Sequence, residues 1–212
     1  MEPFTRLDAV AVPMTGADID TDQILPARFM HKPRVDYGRY CFHDVRFAPD
    51  GTPRPGFVLN RLDHPAPRII VADRNFGCGS SREQAVYTLA DFGIRCIVAP
   101  SFGDIFQTNC LKNGVLPVVL PEAETAAIRA LLEDASAPRL VVDLVAEVLT
   151  DPSGCRHAFV TDPFARECLL KGLDEIDYTL TLIEHVRTYE AASRREGEIS
   201  GTFRHPEAEE LR

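Results

Sequence analysis

The run Asn75-Phe76-Gly77-Cys78-Gly79-Ser80-Ser81-Arg82-Glu83-Gln84 sets a thiol, two hydroxyls and a guanidinium side by side around a pair of glycines. That combination can hold an anion. Gly77 and Gly79 admit positive φ and let a ligand approach bare backbone. Ser80 or Ser81 can cap a following helix, whose first-turn N–H groups then face the ligand. Arg82 adds a two-pronged donor that matches a carboxylate. A lone Gly-x-Gly-Ser fits a tight turn with a serine cap equally well. Arg-Glu directly after paired serines sets this copy apart, because a capped helix needs one serine and no arginine.

A second polar constellation lies upstream. Asp18, Asp20 and Asp22 alternate in Asp18-Ile19-Asp20-Thr21-Asp22, just before Gln23-Ile24-Leu25-Pro26. An EF-hand calcium loop is excluded, since its central glycine and distal glutamate are missing. Two readings remain: an Asx-rich turn that caps a helix, or an aspartate that orients or accepts a proton at a site shared with the glycine turn. His31, His43 and His64 have no metal-ligand spacing among themselves and read as loop or surface residues. Cys41, Cys78, Cys96, Cys110, Cys155 and Cys168 include no C-x-x-C pair, so neither a zinc site nor an iron–sulfur ligand set is visible. Reduced thiols filling core space are expected, with Cys78 alone inside the motif.

The elements that must position these residues follow from periodicity. Arg68–Ala72 is a short apolar run and reads as a buried strand, while Gln84–Phe92 carries Ala85, Leu89 and Phe92 at helical spacing with Gly93 to stop it. Leu7–Val12 is a first strand. Arg95–Pro100 and Val115–Leu120 are further buried strands, with helices over Ser101–Asn113 and Pro121–Glu133. Pro117 marks its strand as an edge or bulge. This alternation implies parallel pairing, with ligands gathered beyond the carboxyl ends of the strands, where Ser80 lies. Arg139–Leu144, Glu147–Leu149 and Arg156–Val160 are short β segments, followed by a helix over Asp162–Leu170 closed by Gly172. A last helix falls within Asp174–Ala192. Residues 31–67 are rich in proline, glycine and histidine. Tyr37, Tyr40, Phe42 and Phe47 predict that this excursion is ordered and packed. The domain is expected over 1–192, with a mobile tail over 193–212.

Bulk properties narrow the function. The chain has 212 residues, and Asp plus Glu outnumber Lys plus Arg by 32 to 23, a formal charge of −9. A nucleic-acid surface needs the opposite sign. No apolar run reaches membrane-spanning length and no basic-then-apolar signal opens the chain, so the expected compartment is the cytoplasm.

Asp20-Thr21-Asp22-Gln23-Ile24-Leu25-Pro26-Ala27-Arg28-Phe29, the glycine motif, and Ala99-Pro100-Ser101-Phe102-Gly103-Asp104-Ile105-Phe106 together resemble the small subunit of bacterial 3-isopropylmalate dehydratase, in the aconitase superfamily. The resemblance covers about residues 5–190. It implies an α/β fold, the swivelling β/β/α domain that ends aconitase. It also implies a large-subunit partner, in a heterodimer or heterotetramer, that carries a 4Fe-4S cluster, with no cofactor or metal on this chain. The implied reaction isomerises 2- and 3-isopropylmalate by dehydration and rehydration in leucine biosynthesis. By the same resemblance Ser80 is the catalytic base and Asp22 arranges the site. Gly79, Ser81, Arg82 and Arg28 bind the dicarboxylate substrate, and Phe29, Met30, His31 and Lys32 form the loop that selects its side chain. Phe29 and Met30 suit an isopropyl group. Alternatives are a related hydro-lyase acting on a smaller methyl-substituted malate, and a non-catalytic nucleotide- or RNA-binding module. The turn lacks the P-loop lysine and the third Rossmann glycine.

Overall fold

The computed structural model describes residues 1–60, 66–134 and 138–200. The chain divides into two compact units, Met1–Asp174 and Glu175–Arg212. In the first, strands β1 (Arg6–Pro13), β2 (Ile69–Val71), β3 (Cys96–Ala99), β4 (Leu116–Val119), β5 (Arg139–Asp143), β6 (Val148–Thr150) and β7 (Arg156–Ala158) form one sheet. Its order is β4-β3-β2-β1-β5-β6-β7. The helices of this unit are α1 (Thr21–Ile24), α2 (His43–Arg46), α3 (Glu83–Phe92), α4 (Asp104–Lys112), α5 (Glu122–Asp134) and α6 (Pro163–Lys171).

The strands β4, β3, β2 and β1 are parallel neighbours, as the strand–helix alternation requires. β5, β6 and β7 continue the sheet antiparallel. β1 serves both halves. Arg6–Val10 pairs with β5, and Ala11–Pro13 pairs with β2. Its burial follows this division: side chains alternate at first, then Val10 to Pro13 are all buried where layers cover both faces. The same double covering explains why β2 and β3 read as unbroken apolar runs. Ile70 and Ile97 point into a core layer with Ala85, Val86 and Leu89 of α3 and Phe106 of α4. Their neighbours Ile69, Val71, Cys96 and Val98 point the other way, onto Ile128 and Leu132 of α5. β4, with Pro117, is an edge strand, as its proline predicts.

Helix ends carry the expected signals. Gly93 adopts φ 110° and its N–H bonds the carbonyls of Leu89 and Ala90, ending α3. The Asp162 carboxylate accepts from Ala165 N, Pro163 opens α6, and Gly172 closes it at φ 70°. Over 31–60 the expected excursion is packed: Tyr37, Tyr40, Phe42 and Leu59 are buried in the α3 layer, while His64 lies outside the described residues. A Cβ on Gly38 would come within 2.7 Å of the Asp91 carbonyl oxygen, so the excursion rests directly on the end of α3.

Two expectations need correction. The helix after β3 starts at Asp104, not Ser101, because Phe102 is bridged to Phe76 in extended form. The single helix expected within 174–192 is two, α7 (Glu175–Thr181) and α8 (Ile183–Ser200). α8 crosses the position where the sequence places the start of a tail, and residues 201–212 lie outside the described residues. No described helix is long and apolar enough to cross a membrane.

Candidate active site

Three loops leave the carboxyl ends of β1, β2 and β3 and stay hydrogen-bonded to one another, so the parallel ladder continues past the named strands. Asp18 N bonds Arg74 O at 3.0 Å, Gly77 N bonds Ile19 O at 2.7 Å, and Thr21 N bonds Cys78 O at 3.0 Å. On the other flank Phe76 N bonds Ser101 O at 3.1 Å and Gly103 N bonds Phe76 O at 3.0 Å. The glycine motif is therefore clamped between the aspartate-rich loop and the Ser101-Phe102-Gly103 loop. All three sequence signatures meet at one place.

Local conformation follows residue type. Gly77 and Gly79 take φ 74° and 87°, as their identity predicts, and Asn75 takes φ 58°. Gly77 has a second reason to be glycine: a Cβ there would be driven into the Phe106 ring. Asn75 holds its turn through Nδ2 to Asp18 Oδ1 at 2.7 Å and through its N–H to Ser101 Oγ at 2.9 Å. Thr21, 1% exposed, donates its hydroxyl to the Ser80 carbonyl at 2.9 Å. At the end of β2, Arg129 of α5 donates to Ala72 O at 2.5 Å and faces Asp73 at 3.5 Å. Sequence reasoning gave Asn75, Thr21, Ser101 and Arg129 no role. Asn before a glycine turn was a usable sign, because Asn tolerates the left-handed region; the others depend on partners distant in the chain.

The expected serine cap does not form. Arg82 is the residue before α3, extended at φ −118°, and makes no side-chain cap bond. Ser80 and Ser81 stand ahead of it, both exposed. The Ser80 hydroxyl makes no hydrogen bond among the described residues, so it is not consumed by the helix. Arg82 reaches instead to Asp22, which its guanidinium bonds directly. Asp20 accepts from Gln23 N at 2.7 Å and caps α1, the Asx reading of that loop. Asp22 is thus tied to the end of the glycine motif through Arg82, and Gly79, Ser80, Ser81 and Asp22 are each exposed there.

Arg28 is bonded elsewhere. Its guanidinium grips Asp44 and lies 4.5 Å over the Phe29 ring. The Arg28 guanidinium holds the Asp44 carboxyl down to about 2 against the opposing effect of burial, with His43 adding a lesser downward pull. Phe29 stacks on Tyr40 at 4.3 Å, and Phe29 and Met30 are half-buried against the α3 core layer. His31 and Lys32 are exposed, yet the Tyr37 hydroxyl ties the loop down through the carbonyls of Met30 (3.1 Å) and Lys32 (2.8 Å).

Burial and the Asp20 and Asp18 carboxylates push the Cys78 thiol up, so it stays protonated at neutral pH. The thiols do not assemble a cluster cage. Cys41 and Cys110 lie in the α3 layer, Cys96 in the opposite one, and Cys155 is exposed.

Residues 1–123 match the aconitase C-terminal domain family. The 3-isopropylmalate dehydratase small subunit of Rhodospirillum centenum is 45% identical over 197 residues, covering 92% of this chain and 97% of that protein. The same subunit from Gluconacetobacter diazotrophicus is 46% identical over 199 residues, with 92% and 95% covered. The crystal structure of a 3-isopropylmalate dehydratase from Methanocaldococcus jannaschii shares the fold, with a TM-score of 0.60 at 23% identity over 87% of this chain and 99% of that one. This chain belongs to the aconitase C-terminal domain family, in its 3-isopropylmalate dehydratase small-subunit branch.

Proposed function

We propose that this chain is the proton-transfer half of a hydro-lyase that interconverts 2- and 3-isopropylmalate, acting with a large subunit as a heterodimer or heterotetramer in the cytoplasm. Ser80, as its alkoxide, takes the proton from the carbon next to a carboxylate and becomes a neutral hydroxyl. The neighbouring C–O bond breaks with its electron pair on oxygen, and that hydroxide is protonated to water by an acid of the large subunit, leaving an alkene diacid. Returning the proton at one carbon and water at the other gives the isomer. Lewis-acid chemistry on the departing hydroxyl is what a 4Fe-4S cluster supplies, and we assign that cluster to the large subunit. Ser81, Arg82 and the Gly79 backbone hold a substrate carboxylate. Asp22 keeps the Arg82 fork aimed. Arg28 takes a second carboxylate by exchanging Asp44 for it, a trade between like partners at an exposed position. Phe29 and Met30 face the isopropyl group, with His31 and Lys32 completing the selecting loop.

The observation that carries the reading is the pairing of Arg82 with Asp22 beside two exposed serine hydroxyls that make no hydrogen bond among the described residues. Asp18 pairs with Arg74 and Asp22 with Arg82 around this turn, and the Asp20 and Asp18 carboxylates oppose ionisation of Cys78. A Ser80 alkoxide needs positive charge close by, and the helix amino terminus, the turn amides and Arg82 are the groups of this chain that offer it.

The test is anaerobic reconstitution with an iron–sulfur large subunit, followed by assay of wild type and Ser80→Ala on 2-isopropylmalate and on a methyl-substituted malate. The chain alone should not turn over. Ser80→Ala should assemble normally and lose about 10²–10⁴-fold in kcat. Wild-type turnover by the variant complex would remove Ser80 from this role, and preference for the methyl compound would reassign the substrate.

A further inference from the structure

A second cluster of reactive side chains lies in the antiparallel half of the sheet, separate from the loops that hold Ser80. In the β6–β7 hairpin, Thr150 pairs with Arg156, so the next residues outward, Asp151 and Cys155, stand opposite each other. The Asp151 N–H bonds the Cys155 carbonyl at 3.0 Å. Side chains alternate along a strand, so Cys155 and His157 share a face, and Asp151 shares it across the ladder. That face turns toward α5, where Glu124 meets it.

We propose that Asp151, Cys155 and His157 form a binding site for a transition-metal dication of the zinc type. The three offer a carboxylate oxygen, a sulfur and a ring nitrogen, all within 4.8 Å of one another. This mixed O, N, S donor set suits zinc and not calcium or magnesium, which take oxygen alone. Asp151 Oδ2 and His157 Nε2 lie 3.1 Å apart. Tetrahedral zinc with bonds of about 2.1 Å separates two such ligands by about 3.4 Å, so this pair needs only to open slightly. Cys155, the exposed member, closes the remaining distance by about 1 Å to make a zinc–sulfur bond of about 2.3 Å.

The surroundings already hold the ligands in place. The other Asp151 oxygen accepts from Ser153 N at 2.8 Å, Ser153 Oγ at 2.6 Å and Cys155 N at 3.0 Å, which fixes the carboxylate plane. His157 Nδ1 lies 2.6 Å from Glu124 Oε2. A carboxylate behind the ring sets the tautomer that leaves Nε2 to the ion. The side chains of Asp151 and His157 are 4% and 10% exposed, so the site is shielded except on the Cys155 side, through which the ion enters. Binding releases the Nε2 proton shared with Asp151 and the thiol proton to solvent. The Cys-x-His spacing falls outside the usual ligand patterns, and Asp151 joins it only through the hairpin register.

The full-length chain, stripped with chelator, is to be titrated with Zn²⁺ in equilibrium dialysis and with Co²⁺ in the ultraviolet. One equivalent should bind, with a thiolate-to-cobalt band that Cys78→Ser retains and Cys155→Ser and His157→Gln both lose. Glu124→Gln should weaken Zn²⁺ by about 10–100-fold, and Zn²⁺ should protect Cys155 from thiol reagents. A band that survives Cys155→Ser, or Zn²⁺ bound equally by wild type and both ligand variants, would overturn the proposal. So would the absence of any band, which leaves the trio as an ion-paired hairpin. Cys155→Ser changes an exposed side chain, so the test does not depend on a variant that fails to fold.

Discussion

Gly77 sits under the face of Phe106, in a backbone conformation that L side chains avoid, at the point where the ladder between β1 and β2 loops is tightest. Gly77→Ala therefore meets two costs, left-handed strain and overpacking, together about 1–3 kcal/mol. Urea denaturation of the chain should show that loss. Phe106→Leu, although destabilising alone, should make the second change non-additive, because the ring is the obstacle. Equal losses for Gly77→Ala with and without Phe106 would mean that the ring yields freely. At this scale the sequence exposed the glycines, the paired serines and Arg82, because each has a residue type with one special property. It misplaced the helix cap, because a cap depends on the direction in which the chain enters. Here Thr21 holds the Ser80 carbonyl from outside the motif, and no local pattern records that contact.

The segment from Ala27 to Phe47 behaves as one element although it is built from short turns. Arg28, Phe29, Tyr40, His43 and Asp44 touch one another, with ring pairs at 4.3 Å and 4.8 Å and the Arg28–Asp44 pair on top. Asp44 is the element's pH-sensitive group. Its folded value lies below the ordinary carboxylate value, so its contribution to the fold is complete above pH 4 or so. That contribution fades as pH falls toward about 2. Solvent screens the exposed pair, so the effect on global stability is small. The local readout is sharper. In Arg28→Ala, the Asp44 carboxyl followed by NMR should titrate near about 3.9, the unperturbed value. An unchanged midpoint would show that Arg28 does not hold it. The aromatics of this stretch announced order, while its partner, the end of α3, could not be read from composition.

Across the whole molecule, the parallel core was legible because strands buried on both faces leave continuous apolar runs, and Pro117 identified an edge. Less legible was how the later β segments attach, since their register against β1 joins residues more than a hundred positions apart, Arg6 with Asp143 being one pair. That long-range pairing has a consequence for biosynthesis. During synthesis β1 emerges before β5, so its Arg6–Val10 backbone waits for a mate that follows more than a hundred residues later. Until then the nascent molecule displays an unzipped margin of amides and carbonyls, the kind of margin that recruits other chains. A fragment ending at residue 123 should consequently be recovered as aggregate, while one ending at residue 174 should stay in solution. Centrifugation of the two expressed fragments decides it, and a soluble shorter piece would show that the margin protects itself.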